Sequence, residues 1–483
     1  MAGARCHPCR PRPTLQQLCG RLSVCGDIEE CNRSLMKEKI VVIGAGLCGT
    51  LLAIRLAQRG YAVDLYERRP DMRRADVPAG RSINLALSDR GIKALRMVGM
   101  EDFAKEEVVP MHGRMIHPLG GDPWLSPYSG RKEDFINSVS RSGLNEALLN
   151  VAQGYDEINL YFDHPCTQVD LKGGRVAFKN EVDGSENWVE ASAFFAADGA
   201  GSVVRRAILG HSASLLFQYE QKWLHHGYKE LSFPPAENGG WRIEKNALHI
   251  WPRGSYMMIA LPNLDGSFTG TLFHPFKGEH GLNSLDTKDK VRDYFQRVYP
   301  DAVPHLPDLE EEYFDNPTSP LGMIKCYPWQ VEGKFLLIGD SAHAIVPFYG
   351  QGMNCAFEDV VVLDQYLEEF GNDWERVFQA YQQDRKADTD AICDLAIDNF
   401  YEMRDHVDDE AFMRKRQLEM KMEQELADYY SKYSLVTFAE DLPYAAAMQQ
   451  GRRQDEILLQ LCQDPAVMDW PIEKVQEYVM SRV

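Results

Sequence analysis

Apolar residues fall into two rhythms along the chain. Lys39 to Ile43 is a short apolar run of strand length, and from Leu47 to Arg59 apolar positions recur at helical spacing. Ala62 to Tyr66 is a second short run, closed by Glu67, so this region reads as strand, helix, strand. Phe194 to Ala197 and Phe335 to Ile338 carry the same buried-strand pattern, followed by Asp198-Gly199 and Gly339-Asp340. Lys222 to Leu272 alternates apolar and polar residues in several short runs punctuated by Pro and Gly, which predicts an antiparallel sheet. From Trp374 onward the spacing is mostly helical. The predicted order is therefore split: an α/β start, an inserted sheet, a return to the α/β layer and a helical tail, with no internal repeat.

Composition narrows this picture without changing it. A chain of 483 residues exceeds one simple core and predicts two or three packed domains. Hydrophobic content of 44% and charged content of 26% are those of a soluble globular protein. A net charge of -20 argues against a nucleic-acid groove or an anionic membrane as partner, while leaving room for a local basic pocket. The longest apolar stretch, Val41 to Ile54, is interrupted by Gly44, Gly46 and Gly49 and is shorter than the roughly 20 residues of a membrane span. Gln449 to Val483 is polar, so the expectation is a cytoplasmic protein without a membrane anchor. Oligomeric state is not readable; a homodimer is one assembly compatible with the sequence.

The start of the chain stands apart. Of the 11 cysteines, Cys6, Cys9, Cys19, Cys25 and Cys31 lie there, with Arg5, Arg10, Arg12 and Arg21 ahead of the first acid, Asp27. Pro8, Pro11 and Pro13 discourage a helix. The expectation for residues 1–35 is a disordered extension, with a targeting peptide as the alternative. Cys6-x-x-Cys9 has no second pair at zinc spacing, and no other His/Cys cluster does, so no metal is expected. The remaining cysteines are scattered, which fits a reducing compartment.

Gly44-x-Gly46-x-x-Gly49 lies between a predicted strand and a predicted helix, where glycines allow a tight turn and close approach of a pyrophosphate to the helix N-terminus. Glu67 can accept from ribose hydroxyls and would repel a 2′-phosphate, favouring FAD or NAD over NADP at this position. A structural glycine turn is the bland alternative. Asp198-Gly199-x-x-Ser202-x-x-Arg205 is a second motif. Gly339-Asp340 leads into Pro347-Phe-Tyr-Gly350-Gln-Gly352-Met353-Asn354 and a predicted helix towards Leu367. Asp340 is placed to bond ribityl or ribose hydroxyls, and the helix start would stabilise negative charge on a reduced flavin.

These three elements, in this order, resemble the single-component flavin monooxygenases typified by p-hydroxybenzoate hydroxylase. Further blocks between Ile40 and about Tyr444 are similar to the kynurenine 3-monooxygenase family: Gly80 to Ser88, Arg114 to His117, Ser138 to Arg141, His226 to Glu230 and Leu248 to Pro252. Others are Ile259 to Asn263, Ile345 to Asn354, Asn399 to Arg404 and Tyr433 to Phe438. The last two lie outside the flavin fold common to these hydroxylases and are the most specific. The resemblance implies an α/β fold of the p-hydroxybenzoate hydroxylase type. Residues 36–212 and 318–373 would bind FAD, 213–317 would form a β-sheet substrate domain, and 374–483 would close the pocket with helices. It implies tightly but non-covalently bound FAD, NADPH as a transient co-substrate, and O2. The implied reaction, a step of tryptophan degradation, is hydroxylation of L-kynurenine to 3-hydroxykynurenine through a flavin C4a-hydroperoxide.

Residue by residue, the resemblance puts the substrate carboxylate on Arg114, Tyr128 and Tyr433, and the amino-acid end or its loop on Asn399 and Glu402. The ring would lie against Leu248, Met257, Ile259, Leu261, Phe273, Pro347 and Phe348. FAD would be lined by Gly44, Gly46, Gly49, Glu67, Arg68, Ala86, Arg141, Asp198, Asp340, Gly352, Met353 and Asn354. Tyr349 stands where familiar bacterial relatives carry His. For each polar residue a plainer reading remains: Arg114 as an ordinary surface arginine or as partner of a buried acid, Tyr128 and Tyr433 as packing, Glu402 as an orienting group rather than a base, His343 as a satisfied core histidine. The competing functions are a flavin hydroxylase of another aromatic acid and a non-catalytic binding protein on the same fold, such as the Rab GDP-dissociation inhibitors.

Overall fold

A computed structural model describes residues 37–74, 84–405 and 409–482. The expected extension 1–35, and Gly80 to Ile83 of one sequence block, lie outside the described residues. The compact unit begins at Lys39.

Its first layer is a six-stranded sheet. The strand order is Gln330–Val331, Phe335–Leu337, Ala193–Ala196, Lys39–Ile43, Ala62–Tyr66, Ile158–Tyr161. All neighbours run parallel except the first pair. The central strands are apolar and buried because helices cover the sheet. One is Leu47–Gln58, which packs on helices Arg141–Gln153 and Gly352–Phe370. Ile40, Val41 and Val42 are fully buried in this core.

The second layer is a seven-stranded sheet in the order Ser319–Tyr327, Gln218–Phe233, Phe268–Pro275, Met257–Pro262, Leu248–Pro252, Gly113–Ile116, Trp124–Pro127. It is antiparallel except where Gly113–Ile116 joins Leu248–Pro252 in parallel, with Arg114 opposite Leu248. Alternation divides its side chains. Leu231, Phe233, Met258 and Leu272 face a core built with helix Lys288–Val298. Met257, Ile259, Phe273 and Tyr228 face the other way, towards Phe348 and helix Trp374–Asp405. The C-terminal helices Glu410–Glu425, Lys432–Thr437 and Tyr444–Leu461 complete the unit. Among the described residues no helix is long and apolar enough to cross a membrane.

Candidate active site

The glycine motif forms the tight turn between strand and helix that its spacing predicts. Gly44 has φ +103°, and its N–H donates to the Tyr66 carbonyl at 2.7 Å. A Cβ at Gly44 would stand 2.5 Å from the Ala197 carbonyl oxygen, and one at Gly49 would stand 2.0 Å from that of Gly44. Both glycines therefore permit close packing of loop, strand and helix. Gly46 is different: a Cβ there meets nothing within 4 Å. The open side of the loop is the side a pyrophosphate would need. Glu67 is buried and turned to the same loop, accepting from Ala45 N at 3.0 Å and from Arg69 Nε at 2.9 Å. Oε1 also accepts from the Arg69 backbone N–H at 3.1 Å; the Arg69 side chain is 67% exposed, so its bond is weak and can give way to a ribose hydroxyl. Arg68 is exposed beside it.

The second and third motifs are tied by Arg205. Its guanidinium donates to the Ser341 carbonyl at 2.7 Å and to the Ala200 carbonyl. Asp198 caps the helix Val203–Leu209 through Val203 N at 2.7 Å and keeps its other oxygen buried without a partner. Asp340 has an exposed surface, yet burial by surrounding atoms pushes its carboxyl up, opposed by Arg141 and His343. Arg141 is exposed at the start of helix Arg141–Gln153, which Ser140 caps through Gly143 N at 3.2 Å. Asn354 is fully buried and acts as a clamp: it donates to the Ala86 and Gly350 carbonyls at 2.8 and 3.0 Å and accepts from Ser88 N at 3.0 Å. It fixes the strand Asn84–Leu87 against the N-terminus of helix Gly352–Phe370, where Gly352 is open and Met353 half-buried. A glycine-lined opening, an orphan carboxylate oxygen, an exposed acid beside an arginine and a helix N-terminus suit the diphosphate and hydroxyl groups of FAD.

His343 is a satisfied core histidine, its Nε2 2.6 Å from Asp359, which also accepts from Arg385 Nε at 2.9 Å. His343, Cys355 and Asp359 are the one cluster of possible metal ligands among the described residues. Arg385 already supplies a cation to Asp359, and burial pushes the Cys355 thiol well up, away from the thiolate a metal needs.

The expected substrate residues come from four parts of the chain and meet at one place. The Arg114 guanidinium lies 4.8 Å from the Tyr433 ring centre and 5.5 Å from that of Tyr128. Its Nε is buried without a hydrogen-bond partner, and no carboxylate among the described residues pairs with it. Tyr128 stacks on Tyr433 at 5.5 Å, and Tyr433 on Tyr349 at 5.4 Å. Burial raises all three phenols, so they remain hydrogen-bond donors. Leu248, Ile259 and Leu261 pack with Tyr128 and Tyr433, while Met257, Phe273 and Phe348 continue the apolar wall. Phe273 and Phe348 are 5.2 Å apart, and Pro347 is exposed at the turn. Asn399 donates to the Phe348 carbonyl at 2.6 Å and thereby orders that turn. Glu402 is ion-paired with Lys432, itself 2.6 Å from Asp455.

Several supports carried no readable signal in the sequence. Arg416 donates to the Tyr128 carbonyl at 2.9 Å, and Glu423 accepts from Gly130 N and Ser431 N at 2.9 and 2.8 Å. Arg90 bonds Glu358 at 2.5 Å and the Val436 and Ala439 carbonyls, joining helix Gly352–Phe370 to the segment that carries Tyr433. Each looks like an ordinary helix-surface charge until its distant partner is known.

The comparisons agree with this geometry. A family model described as FAD binding domain matches residues 37–396. The chain is 43% identical over 449 residues to kynurenine 3-monooxygenase of Myxococcus xanthus, covering 92% of this chain and 96% of that one. It is 42% identical over 454 residues to that of Dictyostelium discoideum, covering 91% and 96%. Among solved structures, 2-methyl-3-hydroxypyridine-5-carboxylic acid oxygenase has a TM-score of 0.61 at 21% identity, covering 82% of this chain and 99% of that one. p-Nitrophenol 4-monooxygenase from Pseudomonas putida has a TM-score of 0.63 at 16% identity, covering 85% and 98%. The structural likenesses show the fold, and the sequence matches go further: the chain belongs to the kynurenine 3-monooxygenase family of FAD-dependent monooxygenases.

Proposed function

We propose that this enzyme hydroxylates L-kynurenine at the ring carbon ortho to the amino group, using NADPH and O2. The observation that carries the reading is Arg114: a half-buried side chain whose Nε is buried and unbonded, flanked by two tyrosines, without a carboxylate of its own. A desolvated unpaired cation is costly, and a substrate carboxylate relieves that cost through two parallel hydrogen bonds. FAD, when bound, supplies the activation of O2, and NADPH supplies the electrons.

The chain's own residues position and exclude. Arg114, Tyr128 and Tyr433 hold the carboxylate. Leu248, Met257, Ile259, Leu261, Phe273 and Phe348 place the ring and keep water out. Asn399 holds the Pro347–Tyr349 turn under the ring. The glycine loop, Glu67, Arg141, Asp198 and Asp340 would hold FAD, and the helix start at Gly352 would favour a negatively charged group. The amino group of kynurenine already activates the ring, so the site requires no strong base, in keeping with the ion-paired Glu402. A reducing compartment such as the cytosol suits the free cysteines Cys48, Cys166, Cys326, Cys355, Cys393 and Cys462.

The test is NADPH oxidation by the purified holoenzyme with and without L-kynurenine, with the product weighed by mass spectrometry. The expected result is stimulated oxidation and a product heavier by one oxygen. No stimulation from a flavin-loaded protein would move the substrate to another aromatic acid. Arg114→Ala is expected to weaken kynurenine binding, and normal affinity in that variant would sink the carboxylate assignment.

A further inference from the structure

Tyr349 has a buried hydroxyl for which the fold provides no partner. The residue is 4% exposed, and its oxygen makes no hydrogen bond. The hydroxyls of Tyr381 and Tyr429 are likewise buried without partners, but those residues sit in other cores. Tyr349 instead ends the stack Tyr128–Tyr433–Tyr349, with ring planes inclined by 9° and 17° at the two steps. Its phenol and the Arg114 guanidinium lie within electrostatic reach of each other. The turn that carries it is fixed from below by Asn399 on the Phe348 carbonyl.

A buried hydroxyl left unbonded costs about 1–3 kcal/mol, which a ligand of the right chemistry recovers. Burial keeps the Tyr349 phenol protonated, so it can donate. An ionised carboxylate offers about four acceptor positions; the guanidinium fork takes two, and the Tyr128, Tyr433 and Tyr349 hydroxyls share the other two. We propose that Tyr349 is a further substrate-binding residue, whose hydroxyl donates to the substrate carboxylate received by Arg114. This rests on the carboxylate assignment made above. It also gives the aromatic residue at this position a polar role that does not depend on imidazole.

The experiment titrates the holoenzyme with L-kynurenine and with its decarboxylated amine, reading the perturbation of the flavin absorbance. Tyr349→Phe is expected to raise the Kd for kynurenine about tenfold to a hundredfold, the loss of one hydrogen bond to a charged group, and to leave the amine unchanged. Unchanged affinity for both ligands overturns the proposal, and so does equal weakening of both, which is the signature of packing. Arg114→Gln separates the two levels. If it abolishes the preference for acid over amine while Tyr349→Phe is silent, the carboxylate site stands and Tyr349 lies outside it. If Arg114→Gln leaves the preference intact, the carboxylate assignment falls and the Tyr349 proposal falls with it.

Discussion

Glu230 shows what one residue's surroundings dictate. It lies on Gln218–Phe233, on the side of the sheet shared with Tyr228, and its Oε2 is buried without a hydrogen-bond partner. Burial pushes its carboxyl up to about 6, opposed only by Arg141. A folded-state value above the unfolded one means that the folded protein binds this proton more tightly. The resulting stabilisation is complete below the ordinary glutamate value and is lost as pH rises through about 6. Glu230→Gln removes that titration. Its melting temperature should fall less than the parent's between about pH 4.5 and 6, and should exceed the parent's above that window. Because the side chain is half-exposed, the effect stays well below the about 2 kcal/mol of a fully buried shift. Parallel melting curves for the two proteins would show that Glu230 does not titrate in this window.

At the scale of elements, two glycines of one loop should separate folding from cofactor binding. A methyl at Gly49 meets the Gly44 carbonyl at 2.0 Å, so Leu47–Gln58 could no longer approach the strand before it. Gly49→Ala should cost about 3 kcal/mol or more, the upper end for overpacking, and lower the urea midpoint even without flavin. Gly46 has φ −75° and open space at its Cβ position. Gly46→Ala should keep the parent's urea midpoint as apoprotein and bind FAD more weakly, read by quenching of flavin fluorescence; unchanged FAD affinity would place the pyrophosphate elsewhere. The sequence revealed this loop because its signals are local: Lys39–Ile43 and Ala62–Tyr66 form as the apolar runs predict, and helix Gly352–Phe370 begins within the predicted segment. It did not reveal Gly113–Ile116 as a strand. Those four residues have no strong alternation, and their partner, Leu248–Pro252, lies far along the chain. The supports of Tyr128 and Tyr433 were hidden for the same reason, since Arg90, Arg416 and Glu423 act across elements that only folding brings together. Arg114, Tyr128 and Tyr433 could be picked out only through resemblance to the family.

At the scale of the whole molecule, a chain with a net charge of -20 sets Arg114 beside Tyr433 and Arg141 near Asp340, the places proposed to receive anionic groups. The groups suited to FAD come from Gly44–Gly49, Glu67, Arg141, Asp198, Asp340 and Gly352, segments joined only when the unit from Lys39 onward is folded. FAD should therefore bind the native chain and not the unfolded one. Such a ligand adds RT ln(1 + [L]/Kd), about 2.7 kcal/mol at a hundredfold excess over Kd and about 1.4 kcal/mol for each further decade. In a unit this large the unfolding entropy is correspondingly large, so each kcal/mol moves Tm by only about 1–2 °C. Stripping the flavin should lower Tm by a few degrees, and re-addition should restore it in steps proportional to the logarithm of FAD concentration. L-Kynurenine should then add a further increment to the holoenzyme that Arg114→Gln abolishes, because that increment arises at a second site. A Tm indifferent to FAD concentration would mean that these segments come together without forming the cofactor site.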